Sequence, residues 1–345
     1  MDKLYLASDY QEAAHPAILK RLAEDAETSY PGYGADTLCE AAREKIRAAC
    51  SCSGAEIHFL VGGTQANLVM IDALLQPWQG VVAADSGHIS VHEAGAIEHG
   101  GHKVLTLRNA NGKVQAEQLA VLFDSYENDD NRAHMVEPGL VYLSQPTEFG
   151  TLYTRSELEA ISALCHGHGA GLYVDGARLA YALSCSENDV SLADLARLCD
   201  AFYIGGTKCG ALFGEAVVIP RPEKVSHLFT RIKQHGALPA KGWLLGLQFD
   251  TLFTDGLYFR LGKPAVEAAD RLRRELPGLG FPLVLENPTN QVFCVVEDQK
   301  LAALRERVVY SYWEKWDAAH TVIRFAPSWF TAPEHIDRLL AILKE

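Results

Sequence analysis

Short apolar runs alternate with helical patterns between residues 56 and 220. The runs are almost continuously apolar and are bounded by glycine, aspartate or proline, which is typical of strands buried on both faces of a sheet. They comprise Glu56–Val61, Gly80–Ala84, Lys103–Leu107, Leu140–Leu143, Leu172–Val174 and Ala201–Ile204. Between the first two runs, apolar residues recur at helical spacing: Ala66, Val69, Met70, Ala73 and Leu74. The alternation predicts an α/β fold with a mostly parallel sheet covered by helices on both faces.

The pattern changes after about residue 241, where helical patterns follow one another with few strands. The later patterns are helices at Gly242–Leu261 and Ala265–Leu276, strands at Gln291–Val296 and Thr321–Phe325, and a closing helix at Pro333–Leu343. This change predicts two domains. A large N-terminal α/β domain is expected over residues 1–245, and a smaller α+β domain over residues 246–345.

Composition and charge narrow the class of protein. The chain has 345 residues, of which 48% are hydrophobic and 22% charged, as in ordinary folded proteins. The sequence contains no run of 18 or more apolar residues, so no membrane-spanning helix is predicted. The N-terminal segment lacks the pattern of a signal peptide, and a cytoplasmic location is therefore expected. The net charge of -13 disfavours binding to nucleic acid. The 8 cysteines predict reduced thiols, and no metal site is expected.

Polar residues follow two early apolar runs, at the sheet edge where ligands bind in doubly wound folds. Gly62-Gly63-Thr64 follows the first run, and its glycines and threonine hydroxyl suit a phosphate group. A plain tight turn with a helix N-cap is the alternative. Asp85-Ser86-Gly87-His88 follows the second run. His88 is therefore either structural or a ligand contact.

Two later strand ends carry an acid and a lysine. Asp175 follows Leu172–Val174, and a helix N-cap is the alternative role for it. Lys208 lies in the glycine-rich segment Gly205–Gly210, where partial burial would lower the pKa of its amine and favour attack on a carbonyl; an exposed loop is the alternative. A phosphate cup, a ring-stacking histidine, an acid for a pyridine nitrogen and a Schiff-base amine together predict pyridoxal 5'-phosphate (PLP).

With these motifs the sequence resembles the L-threonine aldolase and β-eliminating lyase family of fold-type-I PLP enzymes. The resemblance extends over nearly the whole chain. It rests on Ser8-Asp9-Tyr10, Tyr33-Gly34-Ala35-Asp36, Gly63-Thr64-Gln65-Ala66-Asn67, Asp85-Ser86-Gly87-His88, His92-Glu93-Ala94-Gly95-Ala96, Asp175-Gly176-Ala177-Arg178, Thr207-Lys208 and Val322-Ile323-Arg324-Phe325. It implies a large domain with a mostly parallel seven-stranded sheet and a smaller C-terminal α+β domain.

The resemblance also implies roles for individual residues. Lys208 would form the Schiff base, Asp175 would pair with the ring nitrogen, and His88 would stack on the ring. The full cofactor-binding set is expected to be Gly63, Thr64, His88, Asp175, Arg178, Thr207, Lys208 and Lys241. The amino acid substrate is expected to contact Ser8, Tyr33, Arg178 and Arg324. The family implies a homotetramer or homodimer, with a basic residue of the neighbouring subunit, here Lys241, near the phosphate.

The reaction implied is cleavage of the Cα–Cβ bond of a β-hydroxy amino acid (threonine, allo-threonine or phenylserine type) to glycine and an aldehyde. Many relatives have an Asn-Thr-His segment where this chain has Ser144–Glu148, so His88 or His92 is expected to accept the hydroxyl proton. β-Elimination to ammonia and a keto acid is the alternative. An NAD-dependent dehydrogenase is only a distant alternative. Its glycine-rich dinucleotide-binding motif should follow a strand, whereas the glycine-rich segment Gly167–Gly171 precedes one.

Overall fold

A computed structural model describes residues 3–345 of the protein. The strands are β1 (Leu4–Tyr5), β2 (Glu56–Leu60), β3 (Gln79–Ala84), β4 (Val104–Leu107), β5 (Glu137–Ser144), β6 (Gly171–Asp175), β7 (Ala201–Gly205), β8 (Glu215–Ile219), β9 (Val292–Glu297), β10 (Val308–Val309), β11 (Ser311–Lys315) and β12 (His320–Phe325). All six apolar runs of the N-terminal part are therefore confirmed as strands.

Helices separate most of these strands. They are α1 (Pro16–Glu24), α2 (Thr37–Ala49), α3 (Gly63–Leu74), α4 (His88–Val91), α5 (Ala96–His99), α6 (Ala116–Glu127), α7 (Arg155–Gly167), α8 (Leu179–Leu183), α9 (Leu192–Leu198), α10 (Leu228–Gln234), α11 (Trp243–Leu252), α12 (Leu257–Leu261), α13 (Lys263–Glu275), α14 (Asp298–Arg307) and α15 (Pro333–Leu343). Within residues 3–345, no helix combines the length and the apolar character needed to cross a bilayer.

A seven-stranded sheet in the order β2-β8-β7-β6-β5-β3-β4 forms the centre of the protein. Neighbouring strands from β7 to β4 are parallel, whereas β8 is antiparallel to both β2 and β7. The six apolar runs do not include β8. It follows β7 after a short loop without an intervening helix, so the strand–helix alternation gives no sign of it.

The two faces of this sheet are covered by separate hydrophobic cores. Successive residues of a strand point to opposite faces. In β3, for example, Val82 packs in the core that includes α2, α7, α9 and α11, while Val81 packs in the core that includes α3 and α10. Burial on both faces explains why these strands read as continuous apolar runs instead of alternating ones.

A smaller antiparallel sheet, in the order β11-β12-β9, forms the C-terminal part with α13, α14 and α15. Its core also contains Leu4 and Leu6, and β1 pairs in parallel with β10. The N-terminal segment thus packs on the C-terminal sheet. The core of the large sheet includes residues as far as Val266. We retain the two-domain division as a proposal, and the core contacts favour a junction just after Val266 over one at residue 245.

The single long helix predicted at Gly242–Leu261 is wrong. The helix is interrupted between α11 and α12, where Asp255 and Gly256 adopt left-handed conformations with φ of 50° and 65°. Glycine permits this conformation without steric cost. The apolar pattern continues through the break because α11 and α12 pack into the same core. β11 has no counterpart among the predicted strands, since its side chains are largely exposed.

The turn after β6 lies against β7 so closely that only glycine fits. A Cβ atom at Gly176 would lie 2.0 Å from the backbone oxygen of Tyr203. We expect Gly176→Ala to force the backbone apart, to cost about 1–3 kcal/mol and to lower the thermal unfolding midpoint by several degrees. The control is Gly54→Ala, whose added methyl would meet nothing within 4 Å. Circular dichroism melts check this, and equal midpoints for the two variants would contradict it.

Candidate active site

The strand ends that carry the predicted residues meet at two adjoining cavities, called here the smaller and the larger cavity. The smaller has a volume of about 290 Å³ and the larger about 720 Å³. The smaller cavity is lined by Gly63, Thr64, Asp175 and Thr207, and the larger one by His92 and Arg324. Residues that line both are Tyr10, His88, Glu148, Arg178 and Lys208.

Asp175, at the end of β6, is buried and receives four hydrogen bonds. Its Oδ1 accepts from the Tyr203 hydroxyl at 2.5 Å and from the backbone N–H of Ala177 at 2.9 Å. Its Oδ2 accepts from the Tyr142 hydroxyl at 2.7 Å and from Asn67 Nδ2 at 3.1 Å. The neighbouring strands β5 and β7 and helix α3 therefore jointly orient this carboxylate.

These contacts keep Asp175 ionised. Burial by itself would raise its pKa, but the electrostatic influence of His88 and the hydrogen bonds from Tyr203 and Tyr142 outweigh burial and hold the pKa below its usual value. An ionised carboxylate in a pocket of low dielectric constant is a strong partner for a positively charged ring nitrogen.

Lys208 follows β7, and its side chain is partly buried between both cavities. Burial, together with the charge of Arg178, lowers the pKa of Lys208 and so favours the neutral, nucleophilic amine. Nearby, burial raises the pKa of Glu215 to about 7, although the backbone N–H of Gly206 donates to its carboxylate at 2.9 Å. The site thus drives both an amine and a carboxylate towards their neutral forms.

His88, at the start of α4, is held by a buried acid. Its Nδ1 is 2.7 Å from Oε1 of Glu93, and the same oxygen accepts from Asn67 Nδ2 at 2.7 Å. Because Asn67 also donates to Asp175, one amide links the acid that positions the histidine ring to the acid at the end of β6. The His92 ring lies 5.7 Å from the His88 ring, and burial with the charge of His88 lowers the pKa of His92.

Two arginines at the cavities differ in how far their donors are used. Arg178 forms a paired contact with Asp9, from Nε at 2.6 Å and from Nη2 at 2.9 Å. Arg324 donates to Gln291 Oε1 at 2.8 Å and to the backbone oxygen of Ala7 at 3.1 Å. Its Nε is buried and has no hydrogen-bond acceptor within the described chain. A substrate carboxylate in the larger cavity would supply one.

The N-terminal segment reaches both arginines, since Ala7 contacts Arg324 and Asp9 contacts Arg178. Ser8 lies between these two residues in the sequence, but it is not among the residues that line either cavity, and its place near the substrate carboxylate stays a prediction. Asp9 is fully buried, which by itself would raise its pKa. The charge and hydrogen bonds of Arg178 outweigh this effect and lower the pKa of Asp9. The packing of this segment on the C-terminal sheet therefore completes the wall of the site.

Tyr33 and Lys241 are not brought to these cavities by their own chain. The backbone N–H of Tyr33 donates to Ala240 at 3.0 Å, so the two predicted residues lie close together on the surface. The Tyr33 ring lines a separate small cavity and lies under Lys233 Nζ at 4.7 Å. Any role for Tyr33 or Lys241 in the site requires a second subunit.

The residues present fit PLP. Helix α3 begins at Gly63, and Gly62 offers no side chain to cap its first N–H groups. A Cβ atom at Gly63 would lie 2.9 Å from the Tyr203 hydroxyl, so glycine keeps this wall open. A phosphate at this end, a ring nitrogen at Asp175 and a carbonyl at Lys208 would use the donors, the anion and the amine that line one cavity.

Several residues of the site were not assigned from the sequence. Tyr142 and Tyr203 lie inside apolar strands and look like ordinary core aromatics there, although both hydroxyls bind Asp175. Asn67 and Asp9 lie in motifs that this chain shares with the family it resembles, but the sequence predicted no separate role for either residue. Glu148 appeared only as part of a segment in which a histidine is missing.

Comparison with known proteins agrees with the geometry. Residues 6–299 match the family described as β-eliminating lyase. A low-specificity L-threonine aldolase of Pseudomonas aeruginosa is 30% identical over 345 residues, covering 96% of this chain and 95% of that protein. One from a Pseudomonas sp. is 30% identical over 300 residues, covering 84% and 82%.

Solved structures extend this similarity to the fold. The structure of a Leishmania major threonine aldolase superimposes with a TM-score of 0.95 at 42% identity, covering 99% of this chain and 98% of that one. An aspartate aminotransferase from Thermus thermophilus has a TM-score of 0.72 at 19% identity, covering 99% and 91%. The second match concerns the fold alone, and confirms the expected fold-type-I architecture.

The buried pair of Asp9 and Arg178 gives a test of stability. We expect Asp9→Ala to cost about 3–5 kcal/mol, because it leaves the guanidinium buried without its partner. The control is Glu24→Ala, which removes an exposed pair with Lys20 and should cost at most about 1 kcal/mol. Urea unfolding measures both. Similar losses in the free energy of unfolding for the two variants would show that the buried pair stabilises the protein no more than the exposed pair.

Proposed function

The chain belongs to the β-eliminating lyase family, and on this basis we propose that it is a PLP-dependent aldolase that cleaves β-hydroxy amino acids to glycine and an aldehyde. The observation that carries the proposal is that Lys208 and Asp175 line one cavity with His88 and the start of α3. The identity to proteins named threonine aldolase, over nearly the full chain, supports the choice of reaction.

The cofactor is held by groups with separate tasks. Gly63, Thr64 and Thr207 would bind the phosphate, and His88 would stack on the ring. Asp175 would keep a proton on the ring nitrogen, since its own pKa lies below the usual value. When bound, PLP supplies a carbonyl that condenses with amines and a protonated ring that withdraws electrons from Cα. Lys208 would supply the amine that holds this carbonyl.

The arginines orient the substrate. Arg324 offers its unused Nε to the carboxylate, and Arg178 contributes the donors that Asp9 leaves free. Ser8 completes this carboxylate site. With the carboxylate fixed at this side, Cβ and its hydroxyl would extend into the larger cavity, whose polar lining includes His88, His92 and Glu148. The sequence predicts that His88 or His92 accepts the hydroxyl proton.

The active unit is a homodimer or a homotetramer. Lys241 is exposed and lies beside Tyr33, away from the cavities of its own chain. Each would serve the site of a neighbouring subunit, Lys241 near the phosphate and Tyr33 near the substrate. A cytoplasmic location fits the 8 free cysteines, of which all but Cys52 are buried.

Product analysis tests the reaction. Incubation with threonine, allo-threonine or phenylserine should release glycine and the matching aldehyde in equal amounts. β-Elimination is the second candidate, favoured by the name of the family. It would release ammonia and a keto acid instead. Chromatography of amino acids with enzymatic assays for aldehyde, keto acid and ammonia distinguishes the two, and formation of ammonia without glycine would reject the aldolase.

Absorption spectroscopy tests the role of Lys208. The purified protein should show a visible absorption band with PLP bound, and Lys208→Ala should abolish that band because the linking amine is lost. Lys263→Ala is the control, since this lysine is exposed on α13. A colourless wild-type protein after incubation with PLP would refute the cofactor assignment.

Mixing two inactive variants tests whether subunits share a site. Lys208→Ala and Lys241→Ala subunits are each expected to lose most activity. Combined by unfolding and refolding together, they should recover activity, because a mixed dimer contains one site with Lys208 from one chain and Lys241 from the other. No recovery in mixed oligomers, with recovery in a control mixture of Lys208→Ala and wild type, would show that Lys241 does not act across an interface.

A further inference from the structure

The loop after β5 places a carboxyl group at the wall of both cavities. Glu148 is only 9% exposed, and it lines the smaller and the larger cavity. It accepts hydrogen bonds from Ser144 Oγ at 2.7 Å and from the backbone N–H of His88 at 2.8 Å. Both bonds fall on Oε1. The second oxygen, Oε2, is therefore the one left for a ligand.

Glu148 is also tied to the expected carboxylate site. Gln291 Nε2 donates to the backbone oxygen of Glu148 at 3.2 Å, while Gln291 Oε1 accepts from Arg324 at 2.8 Å. One glutamine thus connects the arginine that would hold the substrate carboxylate to the residue that carries the carboxyl group. This contact holds the backbone of Glu148 in place relative to Arg324.

The polar groups of the larger cavity differ as proton acceptors. Burial raises the pKa of Glu148, which makes its carboxylate a stronger base than an exposed one. Burial, with the charge of His88, lowers the pKa of His92, which makes its imidazole a weaker base. The Nδ1 atom of His88 is paired with Glu93, and its ring is expected to stack on the cofactor.

Resting on the proposed function, we propose that Glu148 accepts the β-hydroxyl proton of the substrate, directly or through one water molecule. As the O–H bond breaks, its proton passes to Oε2 and its electron pair forms the carbonyl of the aldehyde. The electron pair of the broken Cα–Cβ bond stays with the glycine fragment. Cα then takes up one proton from water, and Glu148 releases the hydroxyl proton to water, so that the number of protons balances. In the reverse direction, Glu148 returns its proton to the new hydroxyl.

A substrate without a hydroxyl separates this role from a structural one. Glu148→Gln should lower kcat for release of aldehyde from threonine by ~10²–10⁴-fold, the usual contribution of a general base. Exchange of the α-protons of glycine with D2O, followed by proton NMR, should stay within about twofold of wild type, because glycine has no hydroxyl proton to remove. The visible band of bound PLP should also persist.

Matched variants sharpen the result. Glu24→Gln alters an exposed carboxylate on α1, outside both cavities, and it should leave cleavage and exchange unchanged. His92→Gln should slow cleavage less than Glu148→Gln does. The reverse order would assign the proton to His92 and overturn the proposal.

Two further outcomes would also overturn it. Wild-type cleavage by Glu148→Gln would remove Glu148 from the reaction, and equal losses of cleavage and exchange would reduce it to shaping the site. Failure of the proposed function looks different, because the wild-type protein itself would then release no glycine and aldehyde.

Discussion

The site depends on keeping one carboxylate ionised inside the protein. A buried charge is tolerated only where hydrogen bonds and opposite charges replace the lost water. Asp175 meets this requirement with donors from three separate elements: Tyr142 on β5, Tyr203 on β7 and Asn67 on α3. The spacing of the central strands and the position of α3 are therefore part of the electrostatics of the site.

The same low-dielectric setting shifts the neighbouring groups towards neutrality. Lys208 becomes a better nucleophile because its pKa is lowered, and Glu148 becomes a better base because its pKa is raised. Arg178 escapes this effect by pairing with Asp9. In the proposed mechanism, burial supplies the chemical reactivity, while ion pairs and hydrogen bonds preserve the charges that would bind the cofactor and the substrate.

Much of the fold was predictable because burial on both faces leaves a plain signature. The six apolar strands and α15 were predicted correctly. The antiparallel β8 was missed since no helix precedes it, and the break at Asp255 and Gly256 was missed because the apolar pattern runs through it. Lys208 and Asp175 were selected for the same cofactor by their strand-end positions. Glu148 was not, because its loop has no strand or helix pattern to place it.

The sequence by itself determined which strand ends carry the acid, the lysine, the histidine and the phosphate-type turn, since period and composition are local properties. Tertiary structure decided which side chains meet. Tyr142 and Asp175 are 33 positions apart and Gln291 and Glu148 are 143 apart, yet both pairs are in hydrogen-bond contact. Such contacts arise from strand order and from the packing of the C-terminal sheet. The pattern of a single segment cannot predict these contacts, because its periodicity indicates the secondary structure of that segment and not which other segments pack against it.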